Sequence, residues 1–293
     1  MSSVFLPLVQ EIYRLNDLEI DDLRYLTPGS NAVFQLGKTV VKIFLPPETK
    51  LRDGEEYDTE LSALKFADSI GISIPAIICA GTVNDRYTFR YIVMKYIDGV
   101  SPHIQFPFIN DDGKVEFALG FKAITDKLHC SIDSNSNSIP RFDSPERLGD
   151  HMWELLPDTF KRDRKQFLSK EEMSQPVFTH GDININNLLV DKYGRIFLID
   201  FADSVIAPYY YEWPPIVFSL FGCDSVLMKT YFGEIESDGF YRKLITSILI
   251  YRFGAWTIKG IADAFEISTD TITDIKSLKH LLETAINTGD LKV

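Results

Sequence analysis

Residues 177–204, which read VFTHGDININNLLVDKYGRIFLIDFADS, hold a run of polar side chains between apolar segments. Asp182 precedes Asn187 by five positions, and an apolar stretch after the turn at Gly194 ends at Asp200. Phosphoryl transfer needs a carboxylate that orients the attacking hydroxyl and takes its proton, together with oxygen ligands for Mg²⁺. The spacing therefore predicts Asp182 as the catalytic carboxylate, with Asn187 and Asp200 as metal ligands.

The alternative interpretation of this stretch is a solvated hairpin, because Asn-Asn and Asp-Lys-Tyr-Gly are sequences typical of turns. The position of Asp200, at the end of an apolar strand and before Phe201, favours a site that handles charge. Asn184 and Asn186 either satisfy the loop backbone or contact metal, and the sequence leaves both open.

The elements that must position this loop follow from hydrophobic periodicity. Residues 1–20 are predicted to form an amphipathic helix, and 32–36 and 39–44 a β-hairpin around Gly37-Lys38. Residues 55–71 are typical of a helix that ends at Gly71, and two further strands are expected within 72–83 and 86–97. Beyond the break at Asp98-Gly99 the chain is predicted to be mainly helical, with helices expected within 115–132, 240–265 and 269–286.

Composition narrows the classes of function. The net charge of −12 disfavours nonspecific binding to nucleic acid or to an anionic membrane. No apolar run approaches the ~20 residues that span a bilayer, and the first residues do not have the pattern of a signal peptide. The three cysteines are widely spaced, which predicts no disulfide framework and no zinc site and favours a reducing, cytoplasmic compartment.

The motif between His180 and Ser204 resembles that of the aminoglycoside phosphotransferase and choline kinase superfamily of small-molecule kinases. Members show H-G-D-x-x-x-x-N, an apolar strand, and then I-D-F or I-D-W. The matching residues here are His180, Gly181, Asp182, Asn187, Ile199, Asp200 and Phe201. The resemblance, which covers roughly residues 20–260, implies a catalytic role for Asp182 and magnesium binding by Asn187 and Asp200.

The resemblance also implies an α+β, bilobal, protein-kinase-like fold. We expect a small β-rich nucleotide-binding lobe over residues 1–97 and a larger, mainly helical lobe over 98–293 that holds the catalytic loop and the acceptor pocket. In such a fold a strand lysine holds phosphate oxygens and a helix glutamate holds the lysine. Lys42 in TVVKIF and Glu60 in the following helix fit these roles, with Glu56 as a rival partner for Lys42.

Two further segments are expected to contact the nucleotide. The turn containing Gly29, Ser30 and Asn31 lies where the family has its nucleotide-positioning loop, and turn N–H groups can cradle phosphates. The segment YIVMKYIDG resembles the hinge between lobes. There Met94 would lie behind the purine, and the Lys95 carbonyl and the Ile97 N–H would contact the base.

The sequence departs from the family pattern in several places. Asn184 replaces a histidine of the usual loop, Ala202 replaces a glycine, and Glu212 lies where a later aspartate is usual. The aromatic run Tyr209–Trp213 either stacks on the acceptor or packs in the core. The triad of Lys42, Asp182 and Asp200 is complete, which favours catalysis.

The resulting hypothesis is a magnesium-dependent kinase that uses ATP or GTP to phosphorylate a hydroxyl of a small molecule, with aminoglycoside-like or other cationic compounds among the expected acceptors. Its expected partners are the nucleotide and the acceptor, with no nucleic acid or membrane, and the chain is expected to be a monomer or weak dimer. A protein kinase and a nucleotide-binding regulatory module without turnover are the alternatives.

Overall fold

The computed structural model describes residues 2–26, 31–46, 56–129, 138–142, 150–289 and 291. The chain divides into two compact units. The first unit comprises Met1–Gly99 and Leu189–Asp203, and the second comprises Val100–Leu188 and Ser204–Val293. The stretch that ends at Asp200 therefore belongs to the same unit as Lys42. The functional division into lobes at residue 97 stays a prediction.

The strands and helices are numbered in chain order. The strands are β1 (Leu23–Tyr25), β2 (Ala32–Leu36), β3 (Thr39–Phe44), β4 (Ile77–Asn84), β5 (Thr88–Lys95), β6 (Gly99–Val100), β7 (Pro176–Thr179), β8 (Leu188–Asp191), β9 (Ile196–Leu198) and β10 (Val205–Pro208). The α-helices are α1 (Ser2–Leu15), α2 (Glu56–Ser69), α3 (Pro102–Gln105), α4 (Asp111–Leu128), α5 (Asp158–Leu168), α6 (Ser225–Phe232), α7 (Asp238–Ile250), α8 (Gly254–Ala264) and α9 (Ile275–Thr288).

The first unit is built on an antiparallel five-stranded sheet of order β1-β2-β3-β5-β4. The predicted hairpin turns at Gly37, whose φ of +53° suits a residue without a Cβ. One side of α1 contributes Val9, Ile12 and Tyr13 to the buried core of this unit. In the register of the sheet, Lys42 on β3 lies between Val33 and Ile92.

Residues 189–203 are tied to the first unit by a main-chain hydrogen bond. The Leu198 N–H donates to the Ser73 carbonyl over 3.0 Å. Leu198 is fully buried on β9, and Asp200 follows two residues later. The apolar strand predicted to deliver Asp200 is thus anchored just before that residue.

The second unit is mainly helical, and within its described residues a two-stranded ladder joins β7 to β10. The apolar stretch at 240–265 is two helices, since α7 ends at Ile250 and α8 begins at Gly254. A Cβ on Gly254 would lie 1.9 Å from the Ile248 carbonyl oxygen, so only glycine fits at this break. Strand β10, which the sequence interpretation did not separate from its surroundings, is buried along its whole length.

The distribution of elements confirms the predicted α+β class, with an antiparallel sheet in the N-terminal part and helices in the C-terminal part. Among the described residues, no helix combines the length and the apolar character that crossing a membrane would require.

Candidate active site

A buried ion cluster forms the candidate site of the first unit. The Lys42 ammonium donates to Glu60 Oε2 over 2.6 Å and to Asp200 Oδ1 over 2.7 Å. The side chains of Lys42 and Glu60 are 7% and 1% exposed, whereas that of Asp200 is 43% exposed. The structure therefore brings together three residues that lie far apart in sequence, inside the first unit.

The electrostatics of this cluster follow from its burial. Burial disfavours the charged ammonium of Lys42, but the carboxylates of Glu60 and Asp200 outweigh it and raise the lysine pKa. Burial also raises the pKa of Glu60 above its ordinary value, and Lys42 offsets part of that shift. The lysine is thus held as a cation, with Glu60 behind it and Asp200 on the more exposed side.

Local geometry gives Asp200 an unusual backbone. Its φ is +63°, a left-handed conformation that non-glycine residues rarely adopt. Such strain persists where surrounding structure enforces it and concentrates at functional sites. Here the buried strand before it and the bond to Lys42 fix the residue, so that a carboxylate is presented to solvent.

Glu56, the rival candidate for the lysine, has a different contact. Its Oε2 accepts a hydrogen bond from Asn31 Nδ2 over 3.1 Å, and Asn31 is 4% exposed. Asn31 is therefore tied to the start of α2 rather than open to solvent. Gly29 and Ser30, the other residues of the predicted nucleotide-positioning turn, lie outside the described residues.

The predicted hinge residues lie at the end of β5 in the first unit. Met94 is 8% exposed and is paired in register with Val40 and Ile77. Lys95 is the last residue of the strand, and its N–H donates to the Ala76 carbonyl over 2.9 Å. Ile97 lies two residues beyond the strand, and its carbonyl accepts from Gly99 N–H over 3.0 Å.

The second unit has a candidate site of its own around Asp182. Its Oδ2 accepts from Asn184 Nδ2 at 2.8 Å and from Asn187 Nδ2 at 3.1 Å. Its Oδ1 accepts from the Tyr251 hydroxyl at 3.0 Å. Donors on both oxygens fix the plane of the carboxylate. The asparagines of the loop therefore orient Asp182, which explains the polar composition of the stretch.

The backbone of this loop is held from beneath by a buried carboxylate. Gly181 has a φ of +86°, which a glycine tolerates, and its N–H donates to Glu212 Oε1 over 2.8 Å. Glu212 Oε2 lies 2.6 Å from His129 Nε2, and Glu212 is fully buried. The network joins the end of α4 to the loop that contains Asp182. Glu212 thus has a positioning role that its place in the sequence alone did not reveal.

Replacement of Glu212 by alanine is expected to lower the free energy of unfolding by about 2–4 kcal/mol, because a buried N–H and a partly buried imidazole would lose their partner. Glu212→Gln keeps an oxygen for Gly181 and is expected to cost about 1 kcal/mol. Urea unfolding of the two variants measures the difference. Equal stabilities would contradict the bracing role.

Asn187 has the chemistry that a magnesium ligand requires. Its Nδ2 donates both to the Asp182 carbonyl, over 2.9 Å, and to Asp182 Oδ2. Because the nitrogen is used in this way, the amide oxygen is the atom that remains for a cation. Asp200 contributes a solvent-exposed carboxylate, and Mg²⁺ prefers such hard oxygen ligands. Each of the two residues therefore offers an oxygen atom of the type that the predicted ion binds.

The aromatic run near residue 210 packs rather than lining a cavity. Trp213 contacts the rings of Phe232 and Phe240 at centroid distances of 4.9 and 5.6 Å, and Tyr210 and Tyr211 are buried. The aromatic residues beside Asp182 are instead Phe218, Tyr251, Phe253 and Trp256, which line one cavity with it. Their sequence pattern did not single them out, because they occur in segments with ordinary apolar patterns.

Comparison with known proteins identifies a family for this chain. The model of the phosphotransferase enzyme family matches residues 26–213, which is well over half of the chain. A search of curated protein sequences found no significant match.

Solved structures share the fold at low sequence identity. The GDP complex of an aminoglycoside 2'-phosphotransferase-IIIa is 18% identical, with a TM-score of 0.66 over 97% of this chain and 99% of that one. A microcompartment-associated aminopropanol kinase is 15% identical, with a TM-score of 0.54 over 97% and 99%. A choline/ethanolamine kinase family protein from Mesorhizobium loti is 18% identical, with a TM-score of 0.53 over 92% and 86%.

These matches confirm the predicted resemblance and the kinase-like fold. The family match covers the lysine strand, the H-G-D loop, the strand to Asp200 and the bracing glutamate. The chain belongs to the phosphotransferase enzyme family.

Proposed function

We propose that this chain transfers the γ-phosphate of ATP or GTP to a hydroxyl group of a small molecule. The observation that carries the proposal is the buried contact of Lys42 with Glu60 and Asp200. A desolvated ammonium held between a buried and a solvent-exposed carboxylate is suited to bind phosphate oxygens beside a cation. A purely structural ion pair would not need a left-handed aspartate that is almost half exposed.

The residues of each unit have separate roles in the proposal. In the first unit, Lys42 binds phosphate oxygens, Glu60 holds Lys42, and the Met94–Ile97 segment contacts the base, with Gly29, Ser30 and Asn31 near the phosphates. Asp200, together with Asn187 of the second unit, supplies oxygen ligands to magnesium. When bound, magnesium would neutralise charge on the phosphates.

Asp182 is the proposed catalytic residue. Its carboxylate orients the acceptor hydroxyl and takes up the hydroxyl proton as the oxygen–phosphorus bond forms. Tyr251, Asn184 and Asn187 hold the carboxylate through the hydrogen bonds described above. Asn184 therefore acts by positioning Asp182, at the place where the family often has a histidine.

The proposal includes the expected partners. These are a nucleoside triphosphate and a small-molecule acceptor. Aminoglycosides and amino alcohols are candidate acceptors, because the similar structures include an aminoglycoside phosphotransferase and an aminopropanol kinase. A cytoplasmic location and a monomeric or weakly dimeric state belong to the same proposal.

An ADP-release assay over aminoglycosides, amino alcohols, sugars, aryl glycosides and nucleosides tests this function, with ATP and GTP in turn and with Mg²⁺ present or chelated. We expect at least one acceptor to raise nucleotide turnover well above the rate with water alone. Turnover that requires a protein acceptor would favour a protein kinase. Nucleotide binding without transfer to any acceptor would instead favour a regulatory module.

A further inference from the structure

The cavity beside Asp182 has a volume of about 310 Å³ and lies within the second unit. Its wall is formed chiefly by proline, aromatic and aliphatic side chains: Pro214, Pro215, Phe218, Tyr251, Trp256 and Ile261. Trp256 is 51% exposed, so its indole borders both the cavity and solvent. Such a wall buries the apolar face of a ligand and offers aromatic rings for stacking.

The fixed charge of this cavity is small, although the whole chain has a net charge of −12. Asp182 is the one ionisable carboxylate among its described lining residues, and the polar remainder includes Asn184, Ser219 and Thr257. The described lining therefore offers a ligand more apolar and aromatic surface than fixed charge.

Asp182 is poorly suited to serve as a counter-ion as well. Its two oxygens accept hydrogen bonds from Tyr251, Asn184 and Asn187, and the proposed reaction needs one of them for the acceptor hydroxyl. A ligand with several ammonium groups would have to place at least one of them without a carboxylate of its own among the described lining residues. Burial of an unpaired charge carries a large free-energy cost.

We infer that the acceptor is a neutral alcohol with an apolar or aromatic face, and not a polycation. This inference rests on the proposed function and specifies its substrate class. Phe218, Tyr251 and Trp256 hold the apolar face, while a hydroxyl of the same molecule reaches Asp182. The acidic surface of the chain serves a role separate from acceptor recognition.

Three acceptors that differ in charge test the inference: phenyl glucoside, which is neutral, choline, which has one charge, and kanamycin, which has several. Each is assayed by ADP release and by saturation-transfer NMR of the bound ligand. We expect phenyl glucoside to have a kcat/KM at least roughly 100-fold above that of kanamycin, since unpaired buried charges discriminate strongly. Wild-type preference for kanamycin or choline would overturn the inference.

A charge-insertion variant provides a sharper version of the test. Thr257 lines the cavity and is partly exposed on α8, where its hydroxyl bonds only to the Phe253 carbonyl in the described part of the chain. Thr257→Asp is expected to raise kcat/KM for choline relative to phenyl glucoside by about tenfold, because it supplies the missing counter-ion. Thr257→Asn introduces a side chain of the same size as aspartate but without charge, and it should leave the ratio of the two kcat/KM values unchanged. An unchanged ratio in Thr257→Asp would contradict the inference.

Substitution of the aromatic wall separates this inference from the proposed function. Trp256→Ala is expected to raise KM for phenyl glucoside by about tenfold with little change in kcat, and Trp256→Phe to restore most of the affinity. Failure of every acceptor to be phosphorylated would count against the proposed function. In that case the NMR experiment still decides the inference, because saturation transfer to kanamycin but not to phenyl glucoside would refute it.

Discussion

Asp182→Asn is expected to lower kcat for transfer to an acceptor alcohol by roughly 10²–10⁴-fold while nucleotide affinity stays within about twofold, which is the range for loss of a general base. The amide side chain of this variant cannot take the hydroxyl proton. Its NH₂ group would also face a hydrogen-bond donor where the wild-type carboxylate presents an acceptor oxygen. Single-turnover transfer and nucleotide titration measure the two quantities separately. Asp182→Ala should be at least as inactive.

Asn186→Ala is the matched control for this experiment. Asn186 lies in the same loop and is exposed. Its main-chain N–H donates to Asn184 Oδ1, and alanine retains this contact. We expect its kcat to remain within about twofold of the wild type, as for most surface substitutions. Retained turnover in Asp182→Asn would exclude Asp182 as the catalytic carboxylate.

Lys42→Met is expected to reduce kcat/KM for the nucleotide by at least roughly 100-fold, since it removes a cation from the phosphate-binding site. It should also lower the free energy of unfolding by about 3–5 kcal/mol at a pH near 8, because Glu60 is left as a buried carboxylate without its partner. Lys65→Met, on the exposed side of α2, is the control and should change neither quantity appreciably.

The stability defect of Lys42→Met has a defined dependence on pH. Burial already raises the pKa of Glu60 in the wild type, and loss of Lys42 removes the interaction that opposes this shift. The folded variant therefore binds the proton more tightly than the unfolded chain. The free energy of unfolding of the variant falls as pH rises from the pKa of the Glu60 carboxyl in the unfolded chain through its pKa in the folded chain.

Urea unfolding at pH 6 and pH 8 should show the larger stability defect of Lys42→Met at pH 8. An equal defect at both values would contradict the assigned ion pair.

The local elements were predictable because short-range rules determine them. The hairpin around Gly37 follows from turn chemistry and alternation, and the Asp182–Asn187 spacing follows from what phosphoryl transfer requires. Glu60 follows Lys42 by 18 positions and lies on the next predicted helix along the chain. The sequence could not choose between Glu56 and Glu60, and the packing of α2 makes that choice by directing Glu56 to Asn31.

The parts that could not be predicted depend on long-range packing. Tyr251 reaches Asp182 because the chain breaks between α7 and α8, where Gly254 has no room for a side chain. Glu212 holds Gly181 across thirty-one positions of sequence, a distance over which local patterns carry no information. The composition of Tyr209–Trp213 suggested a surface that stacks on the acceptor. The wall of the cavity instead includes Phe218 and Trp256.

We propose that this chain forms a phosphate ester on an alcohol, with Asp182 as the catalytic carboxylate. Phosphorus-31 NMR of a reaction with Mg-ATP and the best acceptor of the panel tests it most directly, because it observes the product rather than the loss of nucleotide. We predict a new phosphomonoester signal, formed together with ADP by the wild type and by Asn186→Ala but not by Asp182→Asn. Formation of ADP and inorganic phosphate alone, or an ester signal of undiminished rate with Asp182→Asn, would contradict the claim.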